Sequence, residues 1–305
     1  MIGRSFLLAA AFLLAVIPVA AAEEDCRLHR VASVPMNVDD QGGVFVPMTI
    51  AGQDVNLLID TGGLDSMLTA DTARSLELPS SYLGRHAPTL FGGAVINRVA
   101  DGHDIAFGGL KTPQMRFLIM PNRMLAPGLD GTLAPDVLRA YDADFDFANG
   151  TFNLFSQDHC RGKIVYWTQE PVASVGFEFY NTTHVAFPVL LDGRKVTVEM
   201  DTGSTRSIFS LEEAERLFGF DRKSPDLKAV DRKAARADTY QYPFKTLTFG
   251  GITVANPDIL LVPEDQARMG HGSDHMILGM SVIRHLHLYI AYKERTLYVT
   301  AATAH

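Results

Sequence analysis

"MDTGSTRSIF" (residues 200–209) sets an aspartate between an apolar run and a glycine turn, and "IDTGGLDSML" (59–68) makes the same move upstream. In each copy a strand-like run ("VNLLI", "VTVEM") enters Asp-Thr-Gly, where glycine permits a tight turn, and a second strand-like run leaves it ("SMLTA", "SIFSL"). A lone Asp-Thr-Gly is ordinarily a turn or a helix cap. Two copies need another explanation, and the flanking sequence supplies it. Sliding the chain against itself by 141 residues lays "VASV" 31–34 on "VASV" 172–175. Without a gap the match then runs through Pro47/Pro188, Gly52/Gly193, Val55/Val196, Ser66/Ser207 and Leu76/Leu217. Between 31 and 76, 14 of 46 positions are identical, against roughly three for unrelated sequences of this composition. Further on, 105–120 matches 247–262 and 131–155 matches 276–300. The chain is one unit written twice.

Inside each unit the short runs "GVFVPMTI", "QDVNLLID", "AFPVLL" and "KVTVEMD" are β-branched and bounded by Gly, Asp and Asn, the pattern of strands. "FDFANGTFNL" (145–154) predicts a hairpin around Asn149-Gly150. Helices are brief: Ser210 with Glu213 caps "SLEEAERLF", and "TADTARSL" (69–76) occupies the equivalent place. The expected class is all-β, two homologous lobes at 27–156 and 157–303, joined near the polar "SQDHCRGKI" (156–164). If the lobes pack about a pseudo-twofold axis, the two turns meet there and bring Asp60 and Asp201 together. Two close carboxylates cannot both ionise, so they share one proton and offer an acid and a base at one point. Such a dyad can activate a water against an amide carbonyl. The Thr61 and Thr202 hydroxyls can bond across the axis, and Ser204 can bond a carboxylate.

These features resemble the aspartic protease clan, each lobe similar to a retropepsin subunit and the two fused in a pepsin-like arrangement, which implies two homologous retropepsin-like β-barrel lobes with a cleft between them. The family motif of two hydrophobic residues, Asp-Thr/Ser-Gly and a small residue is met by "LIDTGG" and, with Glu199 at one apolar position, by "EMDTGS". A later hydrophobic-hydrophobic-Gly is present in lobe 2 as Ile277-Leu278-Gly279, whereas lobe 1 has Thr132-Leu133-Ala134. That alanine and Gly63, where the family has Ser, Thr or Ala, are departures in the first loop. The resemblance implies catalysis by Asp60 and Asp201, supported by Thr61, Gly62, Gly63, Thr202, Gly203 and Ser204. It implies a peptide substrate, no metal and no cofactor, in a monomer that is an internal pseudo-dimer. It also implies a flap over the cleft, for which "TLFGGAVINRV" (89–99) supplies Phe91, Gly92 and Gly93, and whose lobe 2 counterpart, 229–240, is basic and lacks glycine.

Composition fits this reading. A chain of 305 residues with 47% hydrophobic content can bury two cores, and a net charge of −8 spread along it argues against nucleic acid as a partner. Residues 1–22 combine an arginine, an apolar run and a final "AAA", which reads as a cleaved signal peptide and so a periplasmic or secreted protein with no lasting membrane insertion. In that setting Cys26 and Cys160 invite one disulfide, closing a loop whose constraint contributes about 4–5 kcal/mol; two buried thiols are the alternative. His271, His275, His285 and His287 cluster but lack a cysteine or carboxylate to complete a ligand set, and read as structural or solvated. Asp142, Asp144 and Asp146 lack the glycine and glutamate of a calcium loop and read as one acidic strand face. Two other functions are compatible with duplicated turns: a non-catalytic peptide-binding protein on the same fold, and an actin-like phosphotransfer domain, which the scarcity of long helices disfavours.

Overall fold

Alternation drives the first lobe. In strand Val44–Ile50 every second residue is buried (Val44, Val46, Met48, Ile50), and strand Gln53–Ile59 returns beside it through Ala51 and Gly52, both at positive φ. Asp192 and Gly193 make the same two-residue turn in the second lobe. The computed structural model describes residues 26–84, 88, 95–230, 238–264 and 275–303. In lobe 1 the strands run in the order 37–38, 44–50, 53–59, 131–133, 67–69, 110–120, 98–107 and 80–82, and the pairing Thr49↔Ala106 closes six of them into a barrel. Lobe 2 follows the same path, with Leu190↔Thr248 as the equivalent closing pair. Its two long strands, however, are each split, 240–241 from 246–249 and 252–255 from 259–262. Pro243 and Pro257, which have no N–H for a ladder, sit at the breaks. The result is a curled half-barrel rather than a closed one.

A third sheet joins the lobes, in the order Arg30–Pro35, Thr151–Phe155, Asp142–Asp146, Leu286–Ala291, Thr296–Ala301 and Ala173–Gly176. Three strands come from each repeat. The central pairing is Ala143↔Ile290, Asp144↔Tyr289 and Phe145↔Leu288. With 131–155 laid on 276–300, the first and last of these pairs are images of each other and Asp144↔Tyr289 is its own image, so the pseudo-twofold axis passes through it. The apolar core is continuous across this sheet, taking in Phe145 and Phe152 from one repeat and Leu288 and Val299 from the other.

The predicted hairpin at 145–154 is present, as are both capped helices: Thr69 Oγ1 accepts from the Thr72 N–H ahead of Ala70–Ser75, and Ser210 Oγ accepts from the Glu213 N–H ahead of Leu211–Phe218. The acidic strand face is there too, but it is buried rather than wet. Segment 159–167 lies over it: His159 Nε2 meets Asp142 Oδ2 at 2.6 Å, the Tyr166 hydroxyl donates to Asp144 Oδ2 at 2.7 Å, and Trp167 stacks on His287, whose Nε2 meets Asp144 Oδ1 at 2.8 Å. The aspartates and histidines that look separate in sequence are thus partners. The Cys26–Cys160 disulfide fastens this segment to the beginning of lobe 1. Among the described residues no helix is long and apolar enough to cross a membrane, and no cluster of His, Cys, Asp and Glu could hold a metal ion.

Candidate active site

Each Asp-Thr-Gly turn is fixed by the strand that passes behind it. The Asp60 N–H donates to the Leu133 carbonyl at 2.9 Å, and the Asp201 N–H to the equivalent Leu278 carbonyl at 3.0 Å. Strands Gln53–Ile59 and Gly131–Leu133 run parallel, as do Arg194–Met200 and His275–Leu278, so each aspartate emerges at the end of a two-strand support.

Four crossed hydrogen bonds then tie the turns together. The Thr61 N–H donates to Thr202 Oγ1 (3.1 Å) and the Thr202 N–H to Thr61 Oγ1 (3.0 Å), while each hydroxyl donates to the strand of the opposite lobe, Thr61 to the Met200 carbonyl (3.2 Å) and Thr202 to the Ile59 carbonyl (2.7 Å). Both threonines are buried, 1% and 0% exposed, so these bonds are shielded from water. The two hydroxyls bond across the axis in both directions.

The carboxyl groups of Asp60 and Asp201 are neighbours: one point, a Cβ placed on Gly203, would lie 2.5 Å from Asp60 Oδ1 and 3.1 Å from Asp201 Oδ1. Gly62 and Gly203 allow the approach: a Cβ on Gly62 would stand 2.4 Å from Asp201 Cγ, and one on Gly203 2.5 Å from Asp60 Oδ1. Any side chain at either position would occupy the space of the opposite carboxylate. Burial, followed by the charge of Asp201, pushes Asp60 up to about 7, against the Gly63 N–H and the charge of His184. Burial also raises Asp201, whose Oδ1 accepts from two main-chain donors, the N–H groups of Gly203 (2.8 Å) and Ser204 (3.2 Å). The Ser204 hydroxyl behaves differently from expectation: it donates to the Arg206 carbonyl at 2.8 Å, so the main chain, not the side chain, supports Asp201.

The two departures in the first loop turn out to be one exchange. In lobe 2 a Cβ on Gly279 would meet the Arg206 carbonyl oxygen at 2.2 Å and the Ser204 carbonyl oxygen at 2.7 Å, and the Met280 N–H draws the loop in by donating to Ser204 at 2.8 Å. In lobe 1 the residue matching Met280 is Pro135, which has no N–H to do this. Ala134 fits there because its methyl faces the place that a side chain on Gly63 would take, 3.3 Å away. One lobe uses Ser204 with Gly279, the other Gly63 with Ala134.

Behind each loop a serine anchors the passing strand in the same way. Ser66 Oγ accepts from the Ala134 N–H (3.0 Å) and Ser207 Oγ from the Gly279 N–H (3.1 Å). Asp136 completes the first anchor by accepting from the Ser66 hydroxyl at 2.7 Å, and Ser281 completes the second by donating to Ser207 Oγ at 3.1 Å. The identity Ser66/Ser207 is visible in the repeat; its partners are not, because Asp136 and Ser281 differ in type. The candidate flap residues Phe91, Gly92 and Gly93 lie outside the described residues, though the strands framing them, Ser80–Tyr82 and Arg98–Phe107, pair antiparallel as a hairpin would.

His184 is the residue that sequence reading missed. It lies against Glu199, with Nδ1 at 2.5 Å from Oε1, and both side chains are largely buried, 12% and 17% exposed. Glu199 at an expected apolar position was the available signal, and its repeat equivalent is Leu58.

Comparison with known proteins gives the same picture. The chain matches a solved aspartic proteinase from Irpex lacteus at 14% identity and a TM-score of 0.54, covering 89% of this chain and 98% of that one, which is a likeness of fold. No curated protein sequence matches it. The aspartyl protease family profile matches twice, over residues 46–136 and 187–282. One match falls on each repeat and contains one Asp-Thr-Gly turn, and together they take in more than half of the sequence. The chain belongs to the aspartyl protease family.

Proposed function

We propose that the protein is an exported aspartic endopeptidase that cleaves peptide bonds in extended segments laid between the lobes. The observation that carries this reading is the juxtaposition of the Asp60 and Asp201 carboxyls at the crossing of the two threonine-locked turns. We assign the shared proton to Asp60, because Asp201 accepts two main-chain hydrogen bonds that favour its charged form. Asp201 then takes a proton from a water as that water attacks the carbonyl carbon, and Asp60 gives its proton to the developing oxyanion. Collapse of the tetrahedral species passes a proton to the leaving nitrogen and returns the dyad to one shared proton. The chemistry requires no cofactor. Gly62, Gly203, Thr61 and Thr202 hold the geometry, and Phe91 with Gly92 and Gly93 is assigned to a flap over the substrate. The apolar leader and the disulfide support export to the periplasm or beyond the cell.

The unusual first loop favours a second reading, a peptide-binding protein that has kept the fold without the activity. Against it stands the exchange of Gly63 and Ala134, which leaves the Asp60 carboxyl beside its partner. Incubation of purified protein with a peptide library, with and without a statine-type inhibitor, separates the two. Inhibitor-sensitive cleavage is expected; binding of peptides with none cut would establish the second reading instead.

A further inference from the structure

The two repeats differ most sharply in chemistry beside the dyad. His184 and Glu199 align with Gly43 and Leu58, and a Cβ on Gly43 would lie 3.0 Å from Leu58 Cδ1, so the two places are neighbours in both lobes. Lobe 1 fills them with glycine and an aliphatic side chain, and the Asp39 carboxylate, which accepts from the Gly43 N–H at 2.8 Å, lies over the glycine with no cation beside it among these residues. Lobe 2 fills them with an ion pair that is more than four-fifths buried. The fold does not require the pair, as lobe 1 demonstrates, and a buried ion pair is a poor means of stabilisation because desolvation offsets its attraction. His184 Nε2 is moreover buried with no hydrogen-bond partner among the described residues, an arrangement that costs stability.

Its position explains why it is kept. Glu199 and Asp201 are two residues apart on one strand and its exit, so their side chains leave the same face. Strand His184–Leu191 pairs Ala186 with Glu199, and continuing that register by two residues sets His184 opposite Asp201. We propose that His184 and Glu199 are positioning residues for the dyad, a cation and an anion built into one half of the cleft that set the pH range in which Asp60 and Asp201 hold a single proton. The groups that act on His184 are Glu199 from the neighbouring strand and Asp201 and Asp60 from the two turns; Tyr180 is its pairing partner on the third strand. Burial opposes charge on the imidazole, but Glu199 and the two aspartates outweigh it and raise its pKa. In return, the imidazolium lowers both aspartates, while the Glu199 charge raises Asp201. The two charges of the pair therefore pull the dyad in opposite directions.

This inference rests on the reading of Asp60 and Asp201 as a proton-sharing pair, but its test does not need turnover. Carboxyl carbon NMR of the folded chain follows the two aspartates through a pH titration in wild type, His184→Gln, Glu199→Gln and the double variant. Removing the imidazolium should raise the pH at which the dyad takes its second proton by about one unit, and removing the Glu199 charge should lower it. The double variant should return near wild type, and His184→Lys, which keeps the cation, should stay near it. Identical dyad titrations in all variants, or shifts of one sign in both single variants, would overturn the proposal. Shifts as described in a protein that cuts no peptide would leave it standing and remove the endopeptidase reading.

Discussion

Replacing Asp60 with Asn turns the central electrostatic feature of the site into a stability measurement. In the folded protein Asp60 is pushed from 3.8 up to about 7. A carboxyl whose folded pKa lies above its unfolded value contributes stability below the unfolded value and loses it as pH rises through the folded one. Here the window runs from about pH 4 to about pH 7, and at 1.36 kcal/mol per unit the loss amounts to ~4 kcal/mol. Asp60 is only partly buried, so solvent screening sets that figure as an upper bound. Asparagine cannot ionise and leaves Asp201 free to do so, which removes the penalty. Equilibrium unfolding in guanidinium at pH 4 and pH 8, with the disulfide intact, gives the stability of wild type and Asp60→Asn at each pH. The variant's advantage should grow by up to ~4 kcal/mol between the two, while titrating groups remote from the dyad cancel in the difference. An advantage that does not change with pH would refute the claim that the two carboxyls are held together against their charge.

Further expectations follow from the unequal loops and the crossed threonines. Gly279→Ala drives a methyl into the Arg206 carbonyl and should cost about 2–3 kcal/mol in chemical unfolding. Ala134→Gly removes a methyl that already fits and should cost no more than ~1 kcal/mol; equal costs would contradict the exchange between the lobes. Thr61→Val or Thr202→Val keeps the shape but deletes one hydroxyl donor and one acceptor, and each should cost about 1–3 kcal/mol with a fall in peptide cleavage. A double variant that costs less than the sum of the two would show that the four bonds act as one unit.

Much of this molecule was legible in its sequence because duplication doubles every signal. The repeat gave two lobes before any strand was assigned, and strand-turn-strand patterning around Asp60 and Asp201 gave the place where they meet. Alternating burial in Val44–Ile50 and the caps at Thr69 and Ser210 are local effects, read from a few residues. What escaped depends on contacts between distant segments. Asp142 and Asp144 read as an acidic strand face, and no periodicity announces that residues 159–167 fold over them. Gly63 and Ala134 look like two separate defects along the chain, and only their proximity in space makes them one substitution and its compensation. Glu199 breaks an apolar pattern, which marks it as unusual, but its partner is fifteen residues away on the neighbouring strand, two positions beyond the residue that pairs with Glu199 in the ladder. The openness of lobe 2 was written in Pro243 and Pro257, whose effect on the ladder is apparent once the strands are known to be long in the other copy.

Catalysis by a carboxyl dyad is tested most directly by peptide cleavage with Asp60→Asn and Asp201→Asn, each measured beside wild type on the same peptide library by mass spectrometry, with folding checked by circular dichroism. Either substitution should abolish cleavage while the β-sheet spectrum is retained, since one carboxylate alone cannot serve as both acid and base. Cleavage near the wild-type rate in either variant would contradict the assignment of Asp60 and Asp201 as the catalytic pair.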